Sequence, residues 1–197
     1  MVRAQRQQCP GGTRPVTARP CAIWFLRHGE SVANAAGRFA GQGDDSPLTE
    51  KGRTQARQAA HRLPDGLTWI VSSPLRRARE SATIVRDELG LDVPVEVDDR
   101  LIQYDMGSAT GLPIQELTAA DMVSRYGAED PEQFCARILA SLDELSSRPS
   151  DGLVVSHSGV ARMILARVAG LPAGDFRQLP MLGNASPFFV ELHADRS

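Results

Sequence analysis

Two histidines of this 197-residue chain share one local setting, and that setting suits chemistry on phosphate. The first lies in Leu26-Arg27-His28-Gly29-Glu30-Ser31, directly after the apolar run Ala22-Ile23-Trp24-Phe25. A run rich in β-formers and then broken by glycine reads as a strand delivering its last side chains to a loop. In an open α/β sheet, ligands sit at the carboxyl ends of strands. A guanidinium placed there matches two phosphate oxygens in a fork, and an imidazole beside it is a competent nucleophile. The second histidine repeats the grammar in Gly152-Leu153-Val154-Val155-Ser156-His157-Ser158-Gly159-Val160. Between them, Ile70-Val71-Ser72-Ser73-Pro74-Leu75-Arg76-Arg77-Ala78 runs from an apolar stretch through small polar residues into a helix with arginines in its first turn. Three strand ends thus carry Arg27 with His28, Arg77 or Arg76, and His157. The pattern predicts one anion pocket built from two histidines and two arginines. His61 and His193 lack this setting and are expected on the surface.

The elements that must position these residues alternate along the chain. Thr49 is placed to cap a helix running to about Arg62, with Ala56, Ala59, Ala60 and Leu63 on one face. Leu75, Ala78, Ala82, Val85 and Leu89 form an amphipathic stripe that reads as core. Residues 93–97 read as a short strand with Pro94 near its start. Phe134, Ile138, Leu142 and Leu145 mark a helix starting at Pro131, and Val160 to Val168 reads as a buried helix after His157. Pro187 to Leu192 closes the series as a final edge strand. This order predicts a three-layer α/β/α sandwich around a mostly parallel sheet, with a small lid insertion over about 107–150.

At these residues the chain resembles a known family. Arg27-His28-Gly29-Glu30-Ser31 is similar to the Arg-His-Gly signature of the histidine phosphatase superfamily, the phosphoglycerate mutase-like group. The resemblance runs from about Ala22 to Leu192 with every major motif in the family's order. Ser31-Val32-Ala33-Asn34 looks like the segment that sets an Asn, here Asn34, on the phosphate. Residues 37–42 and 45–52 resemble the loop and helix start that follow. Ser72-Ser73-Pro74-Leu75-Arg76-Arg77-Ala78 looks like the second-arginine motif, in which the Arg before Ala is the phosphate ligand; this selects Arg77 over Arg76. Val155-Ser156-His157-Ser158-Gly159 matches the second histidine. By the same resemblance Asn184 falls at the pocket rim. Arg38, in a Gly-rich loop, is a candidate substrate contact. Ser31 and Ser158 read first as helix caps, with Ser158 also a candidate substrate contact.

One departure bears on mechanism. The family carries a proton-donating glutamate in a Leu-x-Glu segment, and Leu101-Ile102-Gln103 puts Gln103 at that place. An amide holds hydrogen bonds but donates no proton at useful pH. Three readings stand open. Asp105 shares the strand parity of 103 and supplies the acid if the stretch is extended. The substrate's leaving group needs little protonation. Or the pocket binds phosphate without turning it over. Glu129 is a further, weaker candidate for the acid.

The mechanism implied by the resemblance has neutral His28 attacking phosphorus while Arg27, Arg77 and His157 hold the equatorial oxygens. The helix beginning near Ser158 adds backbone N–H groups. No cofactor is expected, since arginines and histidine supply the positive charge, and the sequence has no His-Glu-x-x-His, paired Cys-x-x-Cys or EF-hand loop. Fifty-three residues separate Gln103 from His157. That leaves little room for the long insertion of the sugar-phosphate mutases and favours the phosphatase branch. A metal-independent phosphomonoesterase is the leading expectation, then a catalytically impaired phosphate-binding or regulatory protein, then a phosphomutase.

Composition agrees and excludes other classes. The chain is 42% hydrophobic and long enough for one α/β core. No apolar run approaches the roughly 20 residues that cross a bilayer. Cys9, Cys21 and Cys135 suggest neither a disulfide framework nor a zinc site, which points to a reducing, cytoplasmic setting. Residues 1–20 hold Arg3, Arg6, Arg14 and Arg19 among prolines and glycines with no acid, and read as a flexible tail preceding one domain over 21–197. Without those four arginines, 18 basic residues face 24 acidic ones, a charge of about −6. A nucleic-acid binder shows the opposite sign, so the expected partner is a small phosphorylated molecule. Nothing in the sequence reports oligomeric state.

Overall fold

The computed structural model describes residues 22–114 and 118–190. In chain order it forms β1 (Ile23–Arg27), α1 (Val32–Ala35), α2 (Glu50–Ala60), β2 (Ile70–Ser72), α3 (Arg76–Glu88), β3 (Val95–Val97), α4 (Ala119–Tyr126), α5 (Pro131–Ser146), β4 (Gly152–Ser156), α6 (Ser158–Val168) and β5 (Pro187–Val190). Three 3₁₀ turns lie at Asp99–Leu101, Gly107–Ala109 and Ala173–Gln178. The strands make one sheet in the order β3-β2-β4-β1-β5. The first four run parallel, and β5 pairs antiparallel with β1 at the edge. Residues 191 and 192 of the expected final strand lie outside the described residues.

Side-chain alternation on the strands divides the core into two layers. Ile23 and Phe25 of β1, with Val71 and Val154, face Phe134, Ile138 and Leu142 of α5 and Val160 and Met163 of α6. Leu26, Ile70, Leu153 and Val155 face Ala59 and Ala60 of α2 and Ala78, Ala82 and Val85 of α3. Helices therefore cover both faces of the sheet, as a parallel sheet requires, and β4 is buried along its whole length.

The helix starts follow the sequence signals. Thr49 caps α2 by accepting from Gly52 N at 3.0 Å. Asp130 caps α5 by accepting from Glu132 N and Gln133 N, with Pro131 in the first turn. The start of α2 lies directly on the loop after His28. A Cβ on Gly29 would fall on the carbonyl of Gly52, and one on Gly52 would fall on the carbonyl of Glu30. Both glycines are required by that close approach.

The segment expected as a lid divides in two. Residues 131–146 form α5, a core helix, because its apolar stripe covers the sheet. Only the part around Ile114, Thr118 and Asp121 of the insertion reaches over the cavity described below.

Candidate active site

Strand order brings the three motifs together. β2, β4 and β1 are neighbours and parallel, so their carboxyl ends open at one edge of the sheet. His28 N donates to Ser156 O at 2.9 Å, and Ser73 N donates to Val155 O at 3.0 Å. These bonds place the residues just after each strand side by side. Arg77 follows in the first turn of α3. A cavity of about 650 Å³ opens there, with Arg27, His28, Asn34, Arg77 and Gln103 on its wall.

His28 is buried, and its Nδ1 lies 2.6 Å from Gly29 O. A carbonyl can only accept, so Nδ1 carries the hydrogen and Nε2 keeps its lone pair. The loop holding it is tied twice. Gly29 N donates to Ser81 Oγ at 3.0 Å, and Ser81 Oγ donates to Arg77 O at 2.8 Å. On the other side, Ala185 N and Asn184 Nδ2 both donate to His28 O.

The two guanidiniums face no carboxylate partner in an ion pair among the described residues. Arg77 Nη1 and Nη2 donate to the carbonyls of Asp44 and Gly41 at 2.5 and 2.8 Å, and Arg27 Nη1 donates to the carbonyl of Leu182. The Nε of each is buried without a partner. Burial, then the nearby Arg77 charge, pushes Arg27 down to about 10; burial brings Arg77 to about 10 against the pull of Asp44 and Asp45. Both stay charged at neutral pH. Two fixed cations with spare donors make a strong anion site.

His157 stands behind the cavity wall. Its ring centroid is 5.1 Å from that of His28, edge to face. Ser73 Oγ lies 2.7 Å from its Nε2, and Nδ1 is buried with no partner. Burial, first, and the Arg77 charge hold both imidazoles well below the usual histidine range, with Arg27 adding to the effect on each and His28 to that on His157. Each folded pKa is depressed, so the unfolded chain binds more protons near and below pH 6.5, and stability falls as pH drops through that window. Each histidine contributes up to about 1.4 kcal/mol per pH unit there. Urea midpoints at pH 7.5 and 5.5 should differ accordingly, and a His28→Asn/His157→Asn variant should flatten the dependence. Equal slopes in wild type and variant would remove the histidines as its source.

The remaining expected residues fall into two groups. Asn34 reaches the cavity with Oδ1 held by Ser31 N and Asn184 Nδ2, which leaves its amide N–H groups toward the ligand space. Gln103 also lines it. Its Oε1 accepts from Tyr104 N at 2.9 Å, and its backbone carbonyl takes Gln42 Nε2 and Arg137 Nη2. A Cβ on Gly159 would collide with Gln103 Oε1, so that glycine makes room for the amide. Arg38 is on the wall but exposed, with Nη1 on Gly111 O at 2.9 Å. Ser31 caps α1. Ser158 is not a cap: it is the first residue of α6, on the cavity wall, with a buried unpartnered Oγ. His157 occupies the cap position without a side-chain cap bond, so the amino end of α6 is left for a ligand.

Asp105 is not brought to the cavity. The parity argument needs an extended stretch, but no strand spans 102–106. The Asp105 Oδ1 instead accepts from Gly107 N at 2.9 Å, closing a turn. Glu129 is engaged as well, in an ion pair with Arg137 at 2.7 Å and as acceptor for Asp105 N. Sequence reasoning also overlooked Ser73, Tyr104, Arg162 and Arg177. The signal for Arg162 was present, as an arginine inside the apolar run of α6.

Residues 23–197 match the histidine phosphatase superfamily (branch 1). The chain belongs to that superfamily. This histidine phosphatase family member is 37% identical over 172 residues to a probable phosphoglycerate mutase, GpmB, of Yersinia pestis, covering 80% of this chain and 79% of that one. Among solved structures it is similar to a mycobacterial glucosyl-3-phosphoglycerate phosphatase complexed with VO3, at 30% identity and a TM-score of 0.72, covering 87% of this chain and 92% of that one. It is also similar to YhfR of Bacillus stearothermophilus, at 26% identity and a TM-score of 0.78, with 88% and 92% covered. Homologues thus bear both mutase and phosphatase names within one superfamily and one α/β fold.

Proposed function

We propose that this protein is a metal-independent phosphomonoester hydrolase working through a phosphohistidine at His28. The observation that carries the reading is the meeting of a lone-pair-bearing His28 Nε2 with two guanidiniums, Arg27 and Arg77, on one cavity wall. The Nε2 lone pair attacks phosphorus, the ester P–O bond breaks, and the leaving oxygen departs as the alkoxide or phenolate, which takes its proton from solvent. Water then attacks the phosphoimidazole, the P–N bond breaks, and inorganic phosphate leaves with the histidine neutral again. Arg27, Arg77, the Asn34 amide and the start of α6 are placed to hold oxygens whose charge grows in each transfer. The phosphatase neighbours and the short insertion support hydrolysis over transfer.

Leaving-group protonation is the weak step. Among the described residues the carboxylate on the cavity wall is Asp121, which caps α4 together with Thr118. Gln103 supplies an amide where the family resemblance expects an acid. The substrates expected are therefore monoesters whose leaving oxygen departs with little help, such as aryl or enol phosphates. Gln103 also favours a second reading, a phosphate-binding protein with impaired turnover; a mutase comes third.

A panel of aryl and alkyl monoesters separates these. Release of inorganic phosphate in step with the phenol from p-nitrophenyl phosphate is expected. Vanadate binding without turnover of any ester would establish the binder instead. Phosphoryl transfer to a monophosphate acceptor without phosphate release would establish the mutase.

A further inference from the structure

Four consecutive carbonyls lead up to the side chain at 103, and side chains distant in the chain hold all of them. Leu101 O accepts from Ser156 Oγ, at the end of β4, at 2.7 Å. Arg137 of α5 takes the other three. Its Nη1 donates to Arg100 O and, at 2.8 Å, to Ile102 O, and its Nη2 donates to Gln103 O at 3.1 Å. Gln42 Nε2 joins it on Gln103 O at 2.9 Å. No strand or helix spans 102–106, so these carbonyls have no regular ladder to bond into.

The guanidinium that does this is itself fixed. Its Nε and the other Nη2 hydrogen go to the two oxygens of Glu129, at 2.7 and 2.9 Å, so every N–H donor of Arg137 is engaged. Glu129 in turn holds residue 105 by both backbone groups: its Oε2 accepts from Asp105 N, and its own N donates to Asp105 O at 3.0 Å. The Phe134 ring lies 4.7 Å from the guanidinium carbon, and Phe134 and Ile138 seat α5 in the core. A packed helix thus gives Arg137 a fixed origin from which it reaches the 100–103 segment. Beyond that segment the Gln103 amide ends against Gly159, at the amino end of α6. Gln103 lines the cavity and Arg137 does not, so Arg137 can act on a bound phosphate only through its neighbours.

We propose that Arg137, locked by Glu129, is a positioning residue that sets the side chain at 103 against the bound phosphoryl group. A lysine in its place keeps the charge but has a single nitrogen, which cannot span three carbonyls and a carboxylate. That contrast separates placement from charge. It is needed because the Arg137 charge adds to burial and to Arg77, His28 and Arg27 in acting on His157. Catalytic use of the placement rests on the hydrolase reading; the placement itself does not.

The reporter is a carboxyl introduced at 103. In Gln103→Glu, phosphate bound beside that carboxylate should draw in about one extra proton per site near pH 6.5 relative to wild type, because adjacent anions favour a shared proton. Calorimetry with inorganic phosphate in two buffers of different ionisation enthalpy counts it, and wild type subtracts the phosphate's own proton. Adding Arg137→Met or Arg137→Lys should remove most of that uptake. Either should also cut the gain of Gln103→Glu in alkyl phosphate hydrolysis by about tenfold or more. Full uptake retained with Arg137→Lys, or no extra uptake in Gln103→Glu itself, overturns the proposal. If both Arg137 variants fail to fold, Glu129→Gln decides: it loosens the lock and leaves the arginine in place, so the uptake should fall, and an unchanged count overturns the proposal. Absence of all hydrolysis with a proton count that still depends on Arg137 would sink the hydrolase reading and spare the placement.

Discussion

His28→Ala should abolish both turnover and the trapping of an acid-labile, base-stable phosphoenzyme. Loss of a nucleophile costs on the order of 10⁵- to 10⁶-fold in kcat. The assignment to His28 rather than His157 is geometric. The Gly29 carbonyl fixes the His28 hydrogen on Nδ1, while His157 has Nε2 on Ser73 Oγ and lies behind the cavity wall. Rapid quench with ³²P-labelled substrate at alkaline pH, followed by counting of the protein fraction, measures the intermediate. The variant should still bind vanadate through Arg27 and Arg77, which separates lost chemistry from a lost fold. Label retained by His28→Ala would remove that residue from the nucleophile's role.

Gln103→Glu should raise hydrolysis of alkyl phosphates by about 10²- to 10⁴-fold, the contribution of a positioned general acid. The gain on p-nitrophenyl phosphate should be small, because that phenolate leaves unaided. The replacement fits the site: one glutamate oxygen keeps the bond from Tyr104 N, and residue 103 lines the cavity. Phosphate bound between Arg27 and Arg77 cancels their charge, which lets the new carboxyl hold a proton when it is needed. Asp105→Asn should change alkyl phosphate hydrolysis little, because that carboxylate is committed to Gly107 N. A 10²-fold loss in Asp105→Asn, or no gain in Gln103→Glu, would show that protonation comes from another group.

Most of the fold was legible because its signals are local. The stripe from Leu75 to Leu89 became the core face of α3, and Thr49 and Pro131 stand at helix starts as their chemistry dictates. The lid was misread in part because Phe134, Ile138 and Leu142 mark a helix without saying what it covers. Only packing against Tyr104, Val160 and Phe176 assigned α5 to the sheet. Asp105 failed for a related reason: period-two parity has meaning only in a strand, and a turn bond to Gly107 decided otherwise.

The sequence by itself determined which residue types stand at the ends of three strands: an arginine and a histidine, a serine pair before a second arginine, and another histidine. Those are local facts of chain order, written by the same apolar runs that make the strands. The tertiary structure alone decided that β2, β4 and β1 are neighbours, so that residues as distant in the chain as Arg27 and Ser158 share one cavity. It also decided the His28 tautomer, through the Gly29 carbonyl, and it set Arg162 against the Arg177 carbonyl. Hydrogen bonds and charge coupling act over a few ångströms in space. Separation along the chain carries no record of that distance until the sheet has formed.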